Sequence, residues 1–424
     1  MLYQLHEMQR AMLTPFVSLA DASAHLFSNP FSPLAYMPAS RRIAAGYELL
    51  YRLGKDYEKP AWNLPTTSIG GVDVAVTEHT TAAKPFCNLV HFERALNETP
   101  RKNKAAAARK DPKVLLVAPL SGHHATLLRD TVRALLPAHD VYVTDWVDAR
   151  MVPVSDGPFH LDDYVQYIRD FICLLGPDVH VISVCQPTVP VLAAMSLMAT
   201  DKDSHLPRSM IMMGGPIDPR KSPTQVNTLA TTKPYSWFEN QLIHRVPPRF
   251  PGAGRKVYPG FLQHAGFVAM NTDRHVKSHY DFYLDLVRGD DSDAEAHRRF
   301  YDEYNAVLDM PAEYYLDTIK TVFQDSALPK GTWKVHGKLV KPADIHSVAL
   351  FTIEGELDDI SGSGQTEAAQ DLCSGIPASR KQHFTAPDCG HYGIFSGRRW
   401  REVICPKISA FILEHEKATM EKAA

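Results

Sequence analysis

Length, composition and charge place this sequence among ordinary globular proteins. The chain has 424 residues, of which 45% are apolar and 22% are charged, and its formal net charge is −3. This balance excludes a typical polyanion-binding protein, so we expect no nucleic-acid partner. No stretch reaches the ~20 consecutive apolar residues that span a bilayer, so we also expect no membrane span.

The six cysteines are scattered along the chain and form no C-x-x-C pair. They stand at positions 87, 173, 185, 373, 389 and 405. This spacing predicts neither a metal site nor a dense disulfide framework, and free thiols fit a reducing compartment. The apolar stretch 11–20 does not resemble a signal peptide, because Glu7 precedes it, Pro15 interrupts it and no basic cluster opens the chain. We therefore expect a cytoplasmic protein without a bound metal.

Residues 1–65 are predicted to form an N-terminal helical extension. Apolar residues recur there every three or four positions, which is typical of a helix; they are Leu2, Leu5, Met8, Met12 and Phe16. Prolines interrupt the pattern before a second short helix at 44–53. Alternating residues at 72–76 and 87–92 predict an antiparallel strand pair. The basic, alanine-rich stretch 101–110 predicts a solvated linker.

A regular alternation of strands and helices follows this linker. The predicted strands are 114–118, 141–144, 179–184 and 209–213, and the predicted helices are 125–136, 161–175 and 187–199. Continuous apolar strands separated by helices are typical of a parallel sheet covered on both faces. The pattern resumes with a strand at 348–353. The sequence therefore predicts an α/β core in two parts, residues 66–216 and 346–424.

Residues 217–345 interrupt the alternation and are rich in aromatic side chains and histidine. A structureless loop of this length is improbable in a compact domain, so we predict an inserted, mostly helical cap. Most aromatic side chains of such a cap would form its own small core. Some could instead line an apolar cleft leading to a buried site; the candidates are Trp237, Phe238, Tyr258, Phe261 and Phe267.

The most informative stretch is 181–187, where a predicted strand runs directly into a helix and Cys185 stands on the turn between them. This is the context of the nucleophile elbow, usually written G-x-S-x-G, which lifts a reactive side chain above the sheet edge. Here Ser183 and Pro187 replace the two glycines, and Cys185 replaces the serine. On this stretch alone, a buried structural cysteine is the commoner explanation.

Two later motifs favour a catalytic role. One follows a buried strand, turning at Gly355 to the carboxylates Asp358 and Asp359, and the other places His391 in a glycine-rich loop. The order nucleophile, acid, histidine is that of the α/β-hydrolases. We therefore predict an α/β-hydrolase fold with Cys185, His391 and Asp358 as its triad. Asp359 competes for the acid position, but Asp358 has the usual spacing from Gly355.

Each member of this triad would have a chemical task. A thiol with an ordinary pKa of ~8.5 is only a few per cent thiolate at pH 7, so a neighbouring base must take its proton. His391 would be that base for Cys185. Asp358 would fix the tautomer of the imidazole and stabilise the imidazolium.

A tetrahedral intermediate also needs N–H donors for its oxyanion. We predict the backbone N–H of Gln186 as one donor, and that of Leu120 or Ser121, in the loop after the first parallel strand, as the other. Each such donor is typically worth about 10²–10³ in rate. His123 and His124 in the same loop are better explained by packing than as metal ligands, since no carboxylate partner is evident.

Five motifs carry a resemblance to a known family: 119–128, the elbow 183–187, 213–218, 355–361 and 389–397. With these motifs the chain resembles the intracellular poly(3-hydroxybutyrate) (PHB) depolymerases over nearly its whole length, and departs from them mainly in the alanine-rich linker. The resemblance implies Cys185, Asp358 and His391 as the triad. It also implies amorphous polymer in cytoplasmic granules as the substrate, cut to 3-hydroxybutyrate oligomers or monomer at the granule surface.

Several alternatives stay open from the sequence. The acyl group could pass to water or to the thiol of coenzyme A, so no cofactor is expected other than coenzyme A as an acyl acceptor. A polyhydroxyalkanoate synthase-like acyltransferase would share the cysteine nucleophile, but its elbow usually keeps glycines on both sides. A non-catalytic granule-coat protein with a hydrolase fold would need no aligned triad. The sequence predicts no particular oligomeric state.

Overall fold

The structure of the chain is a computed structural model that describes residues 2–96, 110–270 and 272–423. The predicted solvated linker at 101–110 therefore lies almost wholly outside the described residues. Two long helices open the chain, a mixed sheet with an inserted helical region follows, and a helix closes it. None of the described helices is both long and apolar enough to cross a membrane.

Strands and helices alternate through most of the described chain. The strands are β1 (Thr66–Ile69), β2 (Val72–Lys84), β3 (Cys87–Arg94), β4 (Lys113–Val117), β5 (Asp140–Trp146), β6 (Val179–Val184), β7 (Ser209–Met213), β8 (His244–Arg245), β9 (Lys256–Tyr258), β10 (Met310–Pro311), β11 (Lys334–Val335), β12 (Lys338–Leu339), β13 (Ala349–Gly355) and β14 (Lys381–Ala386). The helices are α1 (Leu2–Ser28), α2 (Ser40–Gly54), α3 (Arg129–Leu135), α4 (Leu161–Leu175), α5 (Thr188–Thr200), α6 (Gln225–Thr232), α7 (Tyr235–Leu242), α8 (Gly260–Met270), α9 (Thr272–Arg288), α10 (Asp291–Tyr304), α11 (Ala312–Thr318), α12 (Ala368–Leu372), α13 (Gly397–Arg399) and α14 (Cys405–Ala423).

Nine of these strands form one mixed sheet in the order β1-β2-β3-β5-β4-β6-β7-β13-β14. The strands from β5 to β14 in this order run parallel to one another. The pairs β1–β2, β2–β3 and β3–β5 are antiparallel, as predicted for β2 and β3. Without the edge strand β1, this is the eight-stranded arrangement of the α/β-hydrolase fold, with its second strand antiparallel. The predicted fold class is confirmed.

The central strands of the sheet are buried on both faces. Every residue of β6, β7 and β13 is buried, and α5 is buried on nearly all sides. Helices cover both faces of a parallel sheet, which is why these strands are continuous apolar runs rather than alternating ones. The same burial explains why α5 has no polar face. This packing fixes the carboxyl edge of the sheet, where the predicted site residues follow the strands.

The N-terminal helix α1 packs along α2, which in turn packs on α9. The residues that α1 buries are Tyr3, Glu7, Ala20 and Ala24. By contrast, the periodic apolar residues that predict this helix are all exposed: Leu2, Leu5, Met8, Met12 and Phe16. The apolar spacing therefore predicts the helix correctly but marks the face that points away from the protein.

The region between β7 and β13 holds α6 to α11 and two small sheets. Part of it has a core of its own, in which Phe238 packs with Leu316. Its later part joins the main core through Tyr314 and Trp333. The insertion is thus packed into the hydrolase core on one side. We propose 217–345 as its limits, and the other predicted domain boundaries stay predictions.

Candidate active site

Cys185 stands on a sharp turn between β6 and α5. Its backbone is left-handed, with φ at 68°. A residue other than glycine rarely adopts this conformation, which costs about 1–3 kcal/mol and persists where the surroundings enforce it. Here the Cys185 N–H donates to Met213 O at 2.7 Å, and its carbonyl accepts from the Thr188 N–H at 3.1 Å. The turn leaves the Cys185 side chain half-buried above the sheet edge.

Two glycines after β7 give this turn its space. A Cβ on Gly215 would lie 1.8 Å from Thr188 Oγ1 and 2.4 Å from Cys185 O. Gly214 has φ +56°, and a Cβ there would lie 2.4 Å from Ile394 Cδ1. We did not predict a role for these glycines in the site. A glycine pair directly after a buried strand is nevertheless a signal that another backbone segment approaches closely.

Asp358 and His391 come from neighbouring loops at the same edge. Asp358 Oδ2 lies 2.7 Å from His391 Nδ1, and both side chains are buried. The other carboxylate oxygen of Asp358 accepts from the N–H groups of Ile360, at 2.9 Å, and Ser361, at 2.8 Å. Asp359, the competing candidate, is exposed. The structure thus brings Asp358, and not Asp359, to the imidazole.

His391 links this carboxylate to the thiol. Both Cys185 and Asp358 act electrostatically on its imidazole, and because Asp358 occupies Nδ1, Nε2 is the nitrogen that can serve Cys185. Burial by itself would lower the pKa of His391. The negative charges and hydrogen bonds of Cys185 and Asp358 outweigh burial and raise this pKa well above its ordinary value. The site therefore favours the charged, imidazolium form of His391.

The predicted oxyanion donors follow two adjacent strands, β4 and β6. Within the residues that the structure describes, the backbone N–H groups of Leu120, Ser121 and Gln186 donate to no acceptor. The loop that holds Leu120 and Ser121 is braced by the insertion, since the Leu308 N–H donates to Gly122 O at 2.7 Å. Unpaired N–H groups that follow the strands beside Cys185 are suited to bind an oxyanion.

The two histidines of this loop are buried and neutral. Burial lowers the pKa of His123 to about 4 and that of His124 to about 3. His123 Nε2 lies 3.2 Å from Tyr304 O, and its ring stacks on Phe267 at 4.9 Å between centroids. His123 thus packs between the loop and the insertion.

Among the described residues, two side-chain clusters outside the predicted triad have donor atoms close enough to hold a metal ion: Cys173 with Asp203 and His205, and Glu354 with Glu367 and His383. Glu354 already has a structural task. Its carboxylate accepts from the N–H groups of Gly364, Thr366 and Glu367 at 2.7–2.9 Å. These bonds fix the loop that carries Asp358, so we assign Glu354 to positioning of this loop.

Two buried tyrosines, Tyr164 and Tyr314, lie close enough to Cys185 to feel its charge, and neither was predicted from the sequence. The Tyr314 hydroxyl donates to Gln186 Oε1 at 2.6 Å, and its ring stacks on Tyr164 at 5.5 Å. Burial raises the pKa of Tyr314 well above its ordinary range, and the nearby charge of Cys185 raises it further. Tyr314 therefore stays a neutral donor, which holds Gln186, one of the predicted oxyanion residues, against the insertion.

The five predicted cleft aromatics lie in different surroundings. Phe238 is only 1% exposed and packs in the separate core of the insertion, with Trp237 at its edge. Phe261 packs under α1, and Tyr258 packs beside Tyr315. Phe267 lies nearest to the predicted oxyanion loop, because a Cβ on Gly122 would meet its ring at 3.1 Å.

Solved structures with a similar shape include several enzymes. A monoacylglycerol lipase from Paleococcus ferrophilus has 14% identity and a TM-score of 0.40, with 72% of this chain and 94% of that chain covered. A thermophilic esterase from Thermogutta terrifontis has 12% identity and a TM-score of 0.38, with 83% and 97% covered. The haloalkane dehalogenase DbeA from Bradyrhizobium elkani has 11% identity and a TM-score of 0.44, with 81% and 99% covered. We identify the fold from the strand order and from the turn at Cys185, and not from the similarity to these solved structures.

Sequence comparison gives the family. No curated protein matches the chain. The family model described as PHB de-polymerase C-terminus matches residues 214–416, a span that contains Asp358 and His391 and begins after Cys185. Residues 214–416 therefore belong to the PHB depolymerase C-terminus family, and the protein is a carboxylic ester hydrolase.

Proposed function

We propose that this protein cleaves the ester bonds of amorphous PHB through a triad of Cys185, His391 and Asp358. The single observation that carries the proposal is that a buried histidine bonded to Asp358 feels the charge of a cysteine on a strained turn. A structural cysteine would need neither this backbone conformation nor an imidazole partner. The family match supports the polyester as substrate.

The geometry supports a two-step acyl transfer. Cys185 Sγ attacks the ester carbonyl carbon while His391 holds the thiol proton, and the oxyanion binds the N–H groups of Gln186 and of Leu120 or Ser121. When the C–O bond breaks, His391 gives this proton to the leaving alkoxide, which departs as the hydroxyl end of a shortened chain. The acyl group stays on Cys185 as a thioester.

The second step regenerates the thiol. His391 takes a proton from water, and the resulting hydroxide attacks the thioester carbonyl. The C–S bond then breaks to release a 3-hydroxybutyrate oligomer or monomer, and His391 returns its proton to Cys185 Sγ. If the thiol of coenzyme A takes the place of water, the product is 3-hydroxybutyryl-CoA. Apart from this possible acyl acceptor, the proposal needs no cofactor and no metal.

The test is incubation of the pure protein with amorphous PHB granules, with and without coenzyme A. We expect 3-hydroxybutyrate or its oligomers to be released without coenzyme A, and much more slowly from crystalline polymer. Polymer growth from 3-hydroxybutyryl-CoA would instead indicate a synthase-like acyltransferase. Binding to granules without any turnover would indicate a non-catalytic coat protein. The proposal places the protein on polymer granules in the cytoplasm, which imaging of a fluorescent fusion would test.

Of the five aromatic candidates for an apolar cleft, Phe267 is the main one. Replacing Phe267 by alanine should lower polymer cleavage at least tenfold while changing hydrolysis of a small soluble ester by less than about threefold. The reason is that Phe267 touches the predicted oxyanion loop through His123 and Gly122, where an extended chain would pass. Rates on both substrates and the melting temperature are measured.

Phe238 provides the matched control. Because its side chain is 1% exposed in a separate core, Phe238→Ala should destabilise the protein by about 3–5 kcal/mol. It should lower both activities only in proportion to the loss of folded protein. If Phe267→Ala behaves in the same way, Phe267 is a core residue and the cleft hypothesis is wrong.

A further inference from the structure

The outward side of α1 is apolar, which is the reverse of the usual arrangement. We define the α1 apolar face as Leu5, Met8, Met12, Phe16 and Leu19, whose exposed fractions are 60%, 57%, 66%, 69% and 63%. A surface helix normally buries its apolar stripe and exposes polar residues. If roughly 100 Å² of each side chain is accessible to solvent, the exposed apolar area of this face is on the order of 500 Å². This area is comparable to that of the largest apolar patch on a typical monomer.

The exposed apolar surface continues beyond this helix. Leu50 and Leu53 of the neighbouring α2 are 59% and 60% exposed, and Phe31, between the two helices, is 94% exposed. Isolated exposed apolar residues are common and need no explanation, whereas a row of them at helical spacing indicates a surface that binds something apolar.

The helix that presents this face is firmly attached. The Tyr3 hydroxyl donates to the buried Asp309 carboxylate at 2.6 Å. The His6 ring stacks on Phe261 at 4.0 Å between centroids. Glu7 forms ion pairs with Arg10 and with Arg249 of the insertion. Because these contacts lie on the inward side of α1, the apolar face is held outward by the rest of the protein.

The charge pattern indicates what kind of partner fits the α1 apolar face. The charged residues before Asp21 are Glu7 and Arg10, which pair with each other, and Arg10 also pairs with Asp56. The next arginines or lysines of the sequence are Arg41 and Arg42, at the start of α2. Helices that lie on anionic bilayers carry many lysines and arginines beside their apolar side. A face without free charge instead complements a neutral apolar phase.

The position of α1 relates this face to the candidate active site. His6 of α1 stacks on Phe261 of α8. The same helix α8 carries Phe267, which stacks on His123 in the predicted oxyanion loop. Helix α8 thus lies between α1 and the loop beside Cys185, so α1 is attached to the same part of the molecule as this loop.

We propose that the α1 apolar face binds the surface of the amorphous polyester and thereby holds the active site against its substrate. This inference rests on the proposed function. A polyester phase is neutral and apolar, as the α1 apolar face is. Its surface is also extended, as is the row of exposed side chains along α1. A catalytic site that takes one chain at a time gains from such attachment, because the local concentration of cleavable ester then stays high.

The experiment uses one variant of the full chain that combines four substitutions: Leu5→Gln, Met12→Gln, Phe16→Gln and Leu19→Gln. All four side chains are exposed, so the fold should tolerate the change. The matched control combines Val154→Gln, Leu174→Gln, Val276→Gln and Leu413→Gln, which are 55%, 55%, 64% and 44% exposed but scattered. Binding to protein-free amorphous PHB granules is measured by co-sedimentation, and hydrolysis of a small soluble ester is measured in parallel.

We expect the α1 variant to bind granules at least tenfold more weakly than the wild type, and to hydrolyse the soluble ester at the wild-type rate. The control variant should behave like the wild type in both assays. Unchanged granule binding by the α1 variant would overturn the inference. A dimer in light scattering that becomes a monomer in the variant, with granule binding unchanged, would also overturn it and assign the face to a second copy. Failure of the wild type to hydrolyse either substrate would instead count against the proposed function.

Discussion

Replacing Cys185 by alanine is expected to lower the rate of ester hydrolysis at least about 10⁴-fold while leaving the protein folded. The thiol would be the group that forms the acyl bond, so no neighbour can replace it. The side chain is half-buried on a turn, and its loss leaves no large cavity in the core. Turnover of a soluble ester and the melting temperature are the measurements.

Cys173 is the matched control for this substitution. The four other cysteines are buried, and only Cys173 and Cys185 among the six are partly exposed. Cys173→Ala should keep full activity. One equivalent of iodoacetamide should inactivate both the wild type and Cys173→Ala by modifying Cys185. Full activity of Cys185→Ala would refute the nucleophile assignment.

The second large effect is expected at Asp358. Replacing it by asparagine should lower turnover by about 10⁴, because the amide can neither fix the productive tautomer of His391 nor stabilise the imidazolium. The raised pKa of His391 depends in part on the charge of Asp358. The same substitution should therefore lower the pKa of this imidazole, which can be followed by NMR titration of its ring protons.

Asp359→Asn separates the two neighbouring carboxylates. Asp359 is exposed, so its substitution should change turnover by less than about threefold. Because both variants lose one negative charge in the same loop, the comparison isolates contact with His391 from a general electrostatic effect. A larger loss in Asp359→Asn than in Asp358→Asn would contradict the assignment.

Much of the fold could be predicted from local sequence patterns. The continuous apolar runs around Val181 and Ile353 identify strands buried on both faces, and such strands exist mainly in parallel sheets. Because the carboxyl ends of parallel strands lie at one edge, the positions of Cys185, Asp358 and His391 after strands, in the order of the α/β-hydrolases, predicted that they lie close together. Asp358 was preferred to Asp359 because its spacing from Gly355 is the usual one in this fold.

The remaining features depend on contacts that sequence spacing does not encode. The helical period of α1 marks an apolar stripe, but only the tertiary structure shows that Tyr3 anchors the opposite side and that Phe16 points to solvent. In the insertion, Phe238 and Phe267 are equally apolar in the sequence. They differ because one packs against Leu316 and the other packs against His123. The bond from Tyr314 to Gln186 joins residues 128 positions apart, and neither residue has a local signal for it.

The acyl-thioester on Cys185 is the central claim of the proposed mechanism, and trapping it is the most direct test. The protein is mixed with a soluble 3-hydroxybutyrate oligomer, quenched with acid within milliseconds to seconds, digested and analysed by mass spectrometry. We predict a 3-hydroxyacyl group on the peptide that contains Cys185, labile to hydroxylamine as a thioester is, and absent from Cys185→Ala. An acyl group on a serine such as Ser121 or Ser183, or turnover with no covalent adduct on Cys185 at any quench time, would contradict the mechanism.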